Sequence, residues 1–153
     1  MTSSRYVHVL YCDDIRQEVN GKMTLVGCYG SELLVGQLAG HPIMLPKLCA
    51  LVDVVTGVGN PFKKLVVRAF SSDDLLGEME VPVDASVPPT SGDDDSMLLI
   101  FRAVMTFVPF VVGDQPGKLR IEVETEAEKL RAPGLRLRFH ETPAPDFDAV
   151  APA

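Results

Sequence analysis

KLRIEVET, residues 118–125, and LRLRFH, residues 135–140, decide the fold class. In the first, Leu119, Ile121 and Val123 alternate with Arg120, Glu122 and Glu124; in the second, Leu135, Leu137 and Phe139 alternate with Arg136, Arg138 and His140. Successive side chains of a strand point to opposite faces, so each segment is apolar on one face and polar on the other. In the antiparallel register that sets Ile121 opposite Phe139 and Val123 opposite Leu137, Glu122 falls opposite Arg138 and Glu124 opposite Arg136. One register thus satisfies the apolar face and the charges together, and a slip of one residue would turn the charges inward. Around Ser71–Asp74 the same logic pairs Arg68 with Glu78 and Val67 with Met79.

Outward from that pair, nearly every segment reads as strand. Arg5–Cys12 and Lys22–Tyr29 are rich in β-branched and aromatic residues and flank an Asn20-Gly21 turn signal; Glu32–Val35 is expected to extend the second of them. Leu48–Thr56 is almost wholly apolar, which fits a central strand buried on both faces. Gln37–Pro46 reads as a loop, Gly57–Pro61 and Gly113–Gly117 as turns, and Asp84–Asp95 as a long acidic, Pro-rich loop. Asp13–Val19 has the pattern of one or two helical turns, with Asp13 or Asp14 as N-cap and Ile15 and Val19 on one side. These strands and turns predict an all-β fold: an antiparallel two-sheet β-sandwich of seven or eight strands, immunoglobulin-like or C2-like, with a barrel as the alternative. One domain is expected over residues 1–141 and a flexible tail over 142–153, which has three prolines and little to bury.

Composition narrows the function. The chain has 153 residues, 46% of them hydrophobic and 23% charged, which is enough for one well-buried core without a disulfide or metal staple. A net charge of −7 repels nucleic-acid phosphates, and no basic stripe with interleaved aromatics opposes it. The N-terminal residues lack the pattern of a signal peptide, and no apolar run reaches the ~18 residues needed to span a bilayer, so the expected compartment is the cytosol, with no membrane partner. Three cysteines without CxxC spacing read as reduced thiols. If Arg5–Cys12 and Lys22–Tyr29 form a hairpin joined by the intervening loop, Cys12 and Cys28 lie at opposite ends, on the order of 20 Å apart and too far for a bridge.

The stretch YCDDIRQEVNGK, residues 11–22, carries the most chemistry. As architecture, Asp13 or Asp14 caps a turn, Arg16 bridges a carboxylate, and Asn20-Gly21 reverses the chain. As a site, Asp13, Asp14 and Arg16 form a recognition loop. The long segment Met97–Val112 is apolar on both faces over much of its length. It reads either as a central strand covered by a loop such as Gln37–Pro46, or as an exposed contact surface that includes Phe101, Met105 and Phe107.

Metal chemistry is weaker. Asp13, Asp14, Asp84 and Asp93, Asp94 and Asp95 converge at one pole of an up-and-down path, as carboxylates do around Ca²⁺, but no DxDxDG spacing is present. No Cys/His pair has zinc-ligand spacing, and Gly57-Val58-Gly59 lacks the Lys and helix of a phosphate loop. His8, His41 and His140 sit near no nucleophile signature, so catalytic residues are not assigned and no cofactor is called for. The expected function is a non-enzymatic interaction or accessory module that binds a protein partner or itself. A ligand- or Ca²⁺-binding domain is the alternative, and a hydrolase the third.

The run CDDIRQEVNGKMTLVGCYG, Cys12–Gly30, followed by LPKLCALVDV at residues 45–54, resembles the N-terminal signature of an uncharacterised bacterial domain family of about this length. The resemblance extends over most of the chain. That family has no assigned activity, substrate or catalytic residues, so the resemblance implies a bacterial cytosolic protein and carries no role onto Asp13, Asp14, Arg16 or Lys22.

Overall fold

A computed structural model describes residues 5–37, 41–83, 97–113 and 117–141. The Asp84–Asp95 loop, with its Asp93, Asp94 and Asp95, lies outside the described residues, as does the expected tail 142–153. The described chain is all-β. Its strands are β1 (Tyr6–Gln17), β2 (Met23–Tyr29), β3 (Glu32–Gln37), β4 (Ile43–Leu45), β5 (Leu48–Gly57), β6 (Leu65–Ser71), β7 (Asp74–Glu80), β8 (Leu98–Phe107), β9 (Phe110–Gly113), β10 (Gly117–Thr125), β11 (Lys129–Arg131) and β12 (Leu135–Glu141). Among the described residues no helix is long and apolar enough to cross a membrane.

The strands make a four-stranded sheet in the order β2-β1-β5-β8, a six-stranded sheet in the order β3-β12-β10-β6-β7 with β11 beside β10, and the small pair β4-β9. The two larger sheets share one core. Val52 and Val54 of β5 join Val67, Leu119, Ile121, Val123, Leu135 and Leu137 of the six-stranded sheet in a single cluster, all with no exposed surface. Each such side chain contributes about 1.5–3 kcal/mol by leaving water. As its sequence predicts, β5 is central, with β1 on one side and β8 on the other. The β6–β7 hairpin has the expected register, Val67 opposite Met79 and Arg68 opposite Glu78.

The last hairpin keeps its predicted faces and loses its predicted register. Leu119 lies opposite Leu135 rather than Glu141, a displacement of six residues (141 − 135). The cause is a turn directly after β10. The Thr125 hydroxyl accepts hydrogen bonds from the Ala127 and Glu128 amides at 3.2 and 2.9 Å. Lys129–Arg131 then pair first, with Val123 opposite Leu130. Ala132–Gly134 leave the ladder before Leu135 rejoins it. At Gly134 a Cβ would stand 2.7 Å from the Leu119 carbonyl oxygen, so glycine permits the close return. Because six is even, Leu119, Ile121, Leu135 and Leu137 still face the core. The charges take other partners: Glu124 pairs with Lys64 and Arg68 at 2.7 and 2.6 Å, Glu122 with Arg120 and Arg131 at 2.9 and 3.3 Å, and Arg136 and Arg138 with Glu32 at 3.1 and 3.5 Å.

Other expectations change as well. Glu32–Val35 does not extend β2; β3 crosses to the other sheet and runs parallel to β12, so that sheet is mixed. The strand count exceeds seven or eight, because β4, β9 and β11 are short pieces without a strong alternating signal. Ile43–Leu45, inside the expected loop Gln37–Pro46, pairs with Phe110–Gly113. β8 ends the four-stranded sheet rather than lying at its centre. Asp13–Gln17 are strand, not helix, so neither Asp13 nor Asp14 is an N-cap. Only Val19–Gly21 form a 3-10 turn, and Val19 is 82% exposed rather than packed against Ile15. Cross-strand pairing with β2 outweighs the weak helical pattern of a short segment.

Candidate functional site: the cross-strand ladder of the first hairpin

The turn that closes the first hairpin sets the site. Asn20 and Gly21 both have positive φ, 67° and 73°, and the Glu18 amide donates to the Lys22 carbonyl at 2.8 Å. β1 therefore runs on five residues past Cys12, and Gln17 pairs with Met23. Counting back from this tip, Cys12 lies opposite Cys28 and Tyr11 opposite Tyr29. The expectation that these cysteines stand about 20 Å apart is overturned, because it assumed a long loop in place of strand. On its other side Cys12 lies opposite Cys49 of β5. All three cysteines of the chain thus stand in one line across β2, β1 and β5. Directly opposed residues share a sheet face, so the three thiols do too.

Asp13 and Asp14 are consecutive strand residues and point to opposite faces. They do not converge. The Asp13 carboxylate accepts a hydrogen bond from the Tyr29 hydroxyl. It lies against Gly27, whose φ is +66° and where a Cβ would collide with the Asp13 side chain. Asp14 forms an ion pair with Lys47, and Arg16 Nε approaches it at 3.2 Å. The segments CDD and GCY are therefore two rails of one ladder: Cys12 to Cys28, Asp13 to Gly27 and Tyr29, and Asp14 beside Lys47.

The electrostatics follow from these neighbours. Hydrogen bonds from Lys47 and then Arg16 hold Asp14 below the usual carboxylate range, and Asp14 in turn raises Lys47. Burial, and then the hydrogen bond to Asp13, pushes Tyr29 up to about 12. Burial pushes Cys12 up to about 11, helped by the neighbouring Cys49, Cys28 and Asp13. Tyr11 is 3% exposed, its hydroxyl has no hydrogen-bond partner among the described residues, and burial raises its pKa.

The rest of the outer face of this sheet is mostly apolar around the Asp53–Arg102 ion pair, with His8 and Thr106 among its exposed polar residues. Leu10, Leu51 and Val104 are in line across β1, β5 and β8; beyond them come His8, Asp53 and Arg102, then Tyr6, Val55 and Ile100. Arg102 grips both oxygens of Asp53, Nε at 2.6 Å and Nη2 at 2.7 Å. Tyr6, Leu10, Val26, Leu98 and Ile100 are exposed. Of the predicted contact residues on β8, Met105 is buried, and Phe101 and Phe107 pack partly buried against the core. The strand's exposed apolar residues are their outward neighbours Leu98 and Ile100. An alternation count along β8 from Arg102, the strand's one charge, would have found them.

The histidines are dispersed. His8 sits on β1, where Arg102 takes the carboxylate it faces, His41 precedes β4, and His140 is in β12; all three are exposed. Among the described residues no three His, Cys, Asp or Glu side chains are grouped to hold a metal ion. No family model matches the chain, and no curated protein matches it.

Proposed function

We propose that the chain is a non-enzymatic β-sandwich interaction module that associates with a second copy of itself or serves as an accessory subunit through the outer face of the β2-β1-β5-β8 sheet. One observation carries this. The solvent-facing side of an antiparallel sheet is ordinarily polar, yet here Tyr6, Leu10, Val26, Leu98 and Ile100 stand exposed on one face. The Asp53–Arg102 pair at its centre would supply orientation, since a bidentate pair has a fixed geometry. β8 adds a ten-residue edge with a single charge, a template for strand pairing. Three free cysteines, two of them buried, fit a reducing cytosol as the compartment. Asp13, Asp14 and Arg16 sit at the far end of the same sheet and would shape its rim.

Light scattering over a concentration series tests the proposal. Wild type should show reversible association, and Ile100→Lys, which places a charge on the exposed face without touching the core, should remain monomeric with an unchanged circular dichroism spectrum. A wild-type chain that stays monomeric throughout, and that captures from a lysate no partner that Ile100→Lys loses, would sink it.

A further inference from the structure

We propose that Cys28 and Cys12 are a reversible oxidation site, in which a hydroperoxide oxidises Cys28 and Cys12 closes a cross-strand disulfide. The alignment points to this. The chain has three cysteines, and its topology brings all three into one line on one sheet face. Directly opposed residues of an antiparallel pair have Cα atoms about 4.5 or 5.5 Å apart, and both values fall within the 4.4–6.8 Å that a disulfide spans. Their Cβ atoms, about 4.5–5.5 Å apart in a regular ladder, need to close by about 0.7–1.7 Å to reach the ~3.8 Å typical of a disulfide. β2 is an edge strand, free to make that adjustment.

The environments divide the work. Cys28 is exposed, and Cys12 and Cys49 are fully buried. A dissolved oxidant therefore meets Cys28 first. Burial and the groups beside it favour the Cys12 thiol and keep it from attacking the peroxide; its part in the second step rests on its position directly opposite Cys28. Its Sγ lies 3.4 Å from the Asp14 carbonyl oxygen, whereas the Cys49 Sγ is 3.9 Å from the Asp13 carbonyl and 3.8 Å from Thr106 Oγ1. Cys49 thus contacts both neighbouring strands, Asp13 of β1 and Thr106 of β8, and its full burial keeps it from the dissolved oxidant.

The chemistry balances. The Cys28 thiolate attacks the peroxide O–O bond, forms an S–O bond and releases the alkoxide, or hydroxide from hydrogen peroxide, which takes up a proton. Cys12 sulfur then attacks the sulfenic sulfur; the S–O bond breaks, the S–S bond forms, and hydroxide leaves with the Cys12 proton as water. Two thiols and one hydroperoxide give one disulfide, one alcohol (or water) and one water; the thiol pair loses two electrons and the peroxide gains them. Being on an edge hairpin, the bond is open to thiol reductants and so reversible. It would lock the hairpin that carries Asp13, Asp14 and Tyr29.

Trypsin places each cysteine in its own peptide: Tyr6–Arg16, Met23–Lys47 and Leu48–Lys63. Reduced full-length protein is treated with equimolar hydrogen peroxide, blocked with an alkylating agent and mapped by mass spectrometry. The expected product has lost two hydrogens and links Tyr6–Arg16 to Met23–Lys47 within one chain, and dithiothreitol reverses it. Cys28→Ser, an exposed change that leaves the core intact, should abolish the link and leave Cys12 unoxidised. Cys12→Ser, where it folds, should stop Cys28 at a dimedone-reactive sulfenic acid. Cys28 over-oxidised without a link, a link between chains, or a Cys12–Cys49 link that persists in Cys28→Ser would each overturn the proposal.

Discussion

Replacing Gly27 with alanine adds one methyl group where the structure leaves no room. Two costs combine. At φ +66° an L side chain is strained by about 1–2 kcal/mol, slightly offset because alanine also restricts the unfolded chain. The new Cβ would also strike the Asp13 carboxylate, and not only its tip, since the Asp13 Cγ and Cβ are 2.8 and 3.2 Å away. Asp13 must then move and release the Tyr29 hydroxyl. A hydrogen bond to a charged group contributes about 1.5–3 kcal/mol when buried, and about 1 kcal/mol is the appropriate figure at this exposed position. The expected loss is about 2–3 kcal/mol, read as a lower urea midpoint with an unchanged slope. In an Asp13→Ala background the carboxylate collision is gone and only the 3.2 Å contact with the Cβ of residue 13 remains, so the same substitution should cost only about 1 kcal/mol, mostly backbone strain, a coupling of about 1 kcal/mol or more. A loss under about 0.5 kcal/mol, or equal losses in both backgrounds, would refute the ladder as described.

Two further outcomes follow from the charges and from the unpaired hydroxyl. Hydrogen bonds from Lys64 and Arg68 depress Glu124 from 4.5 to about 2. A depressed carboxylate stabilises the fold above its unfolded pKa, and that contribution is lost as pH falls from about 4.5 through about 2; Glu124→Gln should flatten the pH dependence of the melting temperature in this window, and an unaltered profile would argue against the pairing. Tyr11→Phe removes a buried hydroxyl that has no partner among the described residues, so it should leave stability unchanged or raise it by about 1 kcal/mol, whereas a loss above that in urea unfolding would reveal a bond to that hydroxyl.

Local pattern made some elements readable in advance. Alternation in KLRIEVET and LRLRFH assigns Leu119, Ile121, Leu135 and Leu137 to the core, because face depends only on parity along a strand. The apolar run Leu48–Thr56 announces a central strand, and Asn20-Gly21 announces a reversal through residues that tolerate positive φ. Register is different in kind. The turn after Thr125 is made by that residue's hydroxyl and by where Gly134 can approach the Leu119 carbonyl; a six-residue displacement preserves every face, so hydrophobic patterning cannot detect it. β3 crosses to pair parallel with β12, a long-range match that no local spacing encodes.

The site divides along the same line. The residue types of the Tyr11–Lys22 stretch marked it as chemically dense, and the Asn-Gly tip contained enough information to count Cys12 onto Cys28. What separated Asp13 from Asp14 was strand pairing, which outweighed a weak helical pattern and sent the two carboxylates to opposite faces. What joined Cys49 to the line was the placement of β5 beside β1, decided by burial of Val52 and Val54 against the other sheet. The amino-acid sequence by itself therefore determined which residues face inward and where the chain turns, since both are properties of a few neighbouring residues. Beyond the tight hairpins, tertiary structure alone decided which side chains meet, because strands distant in sequence are brought together by the shared core and not by the strands one at a time.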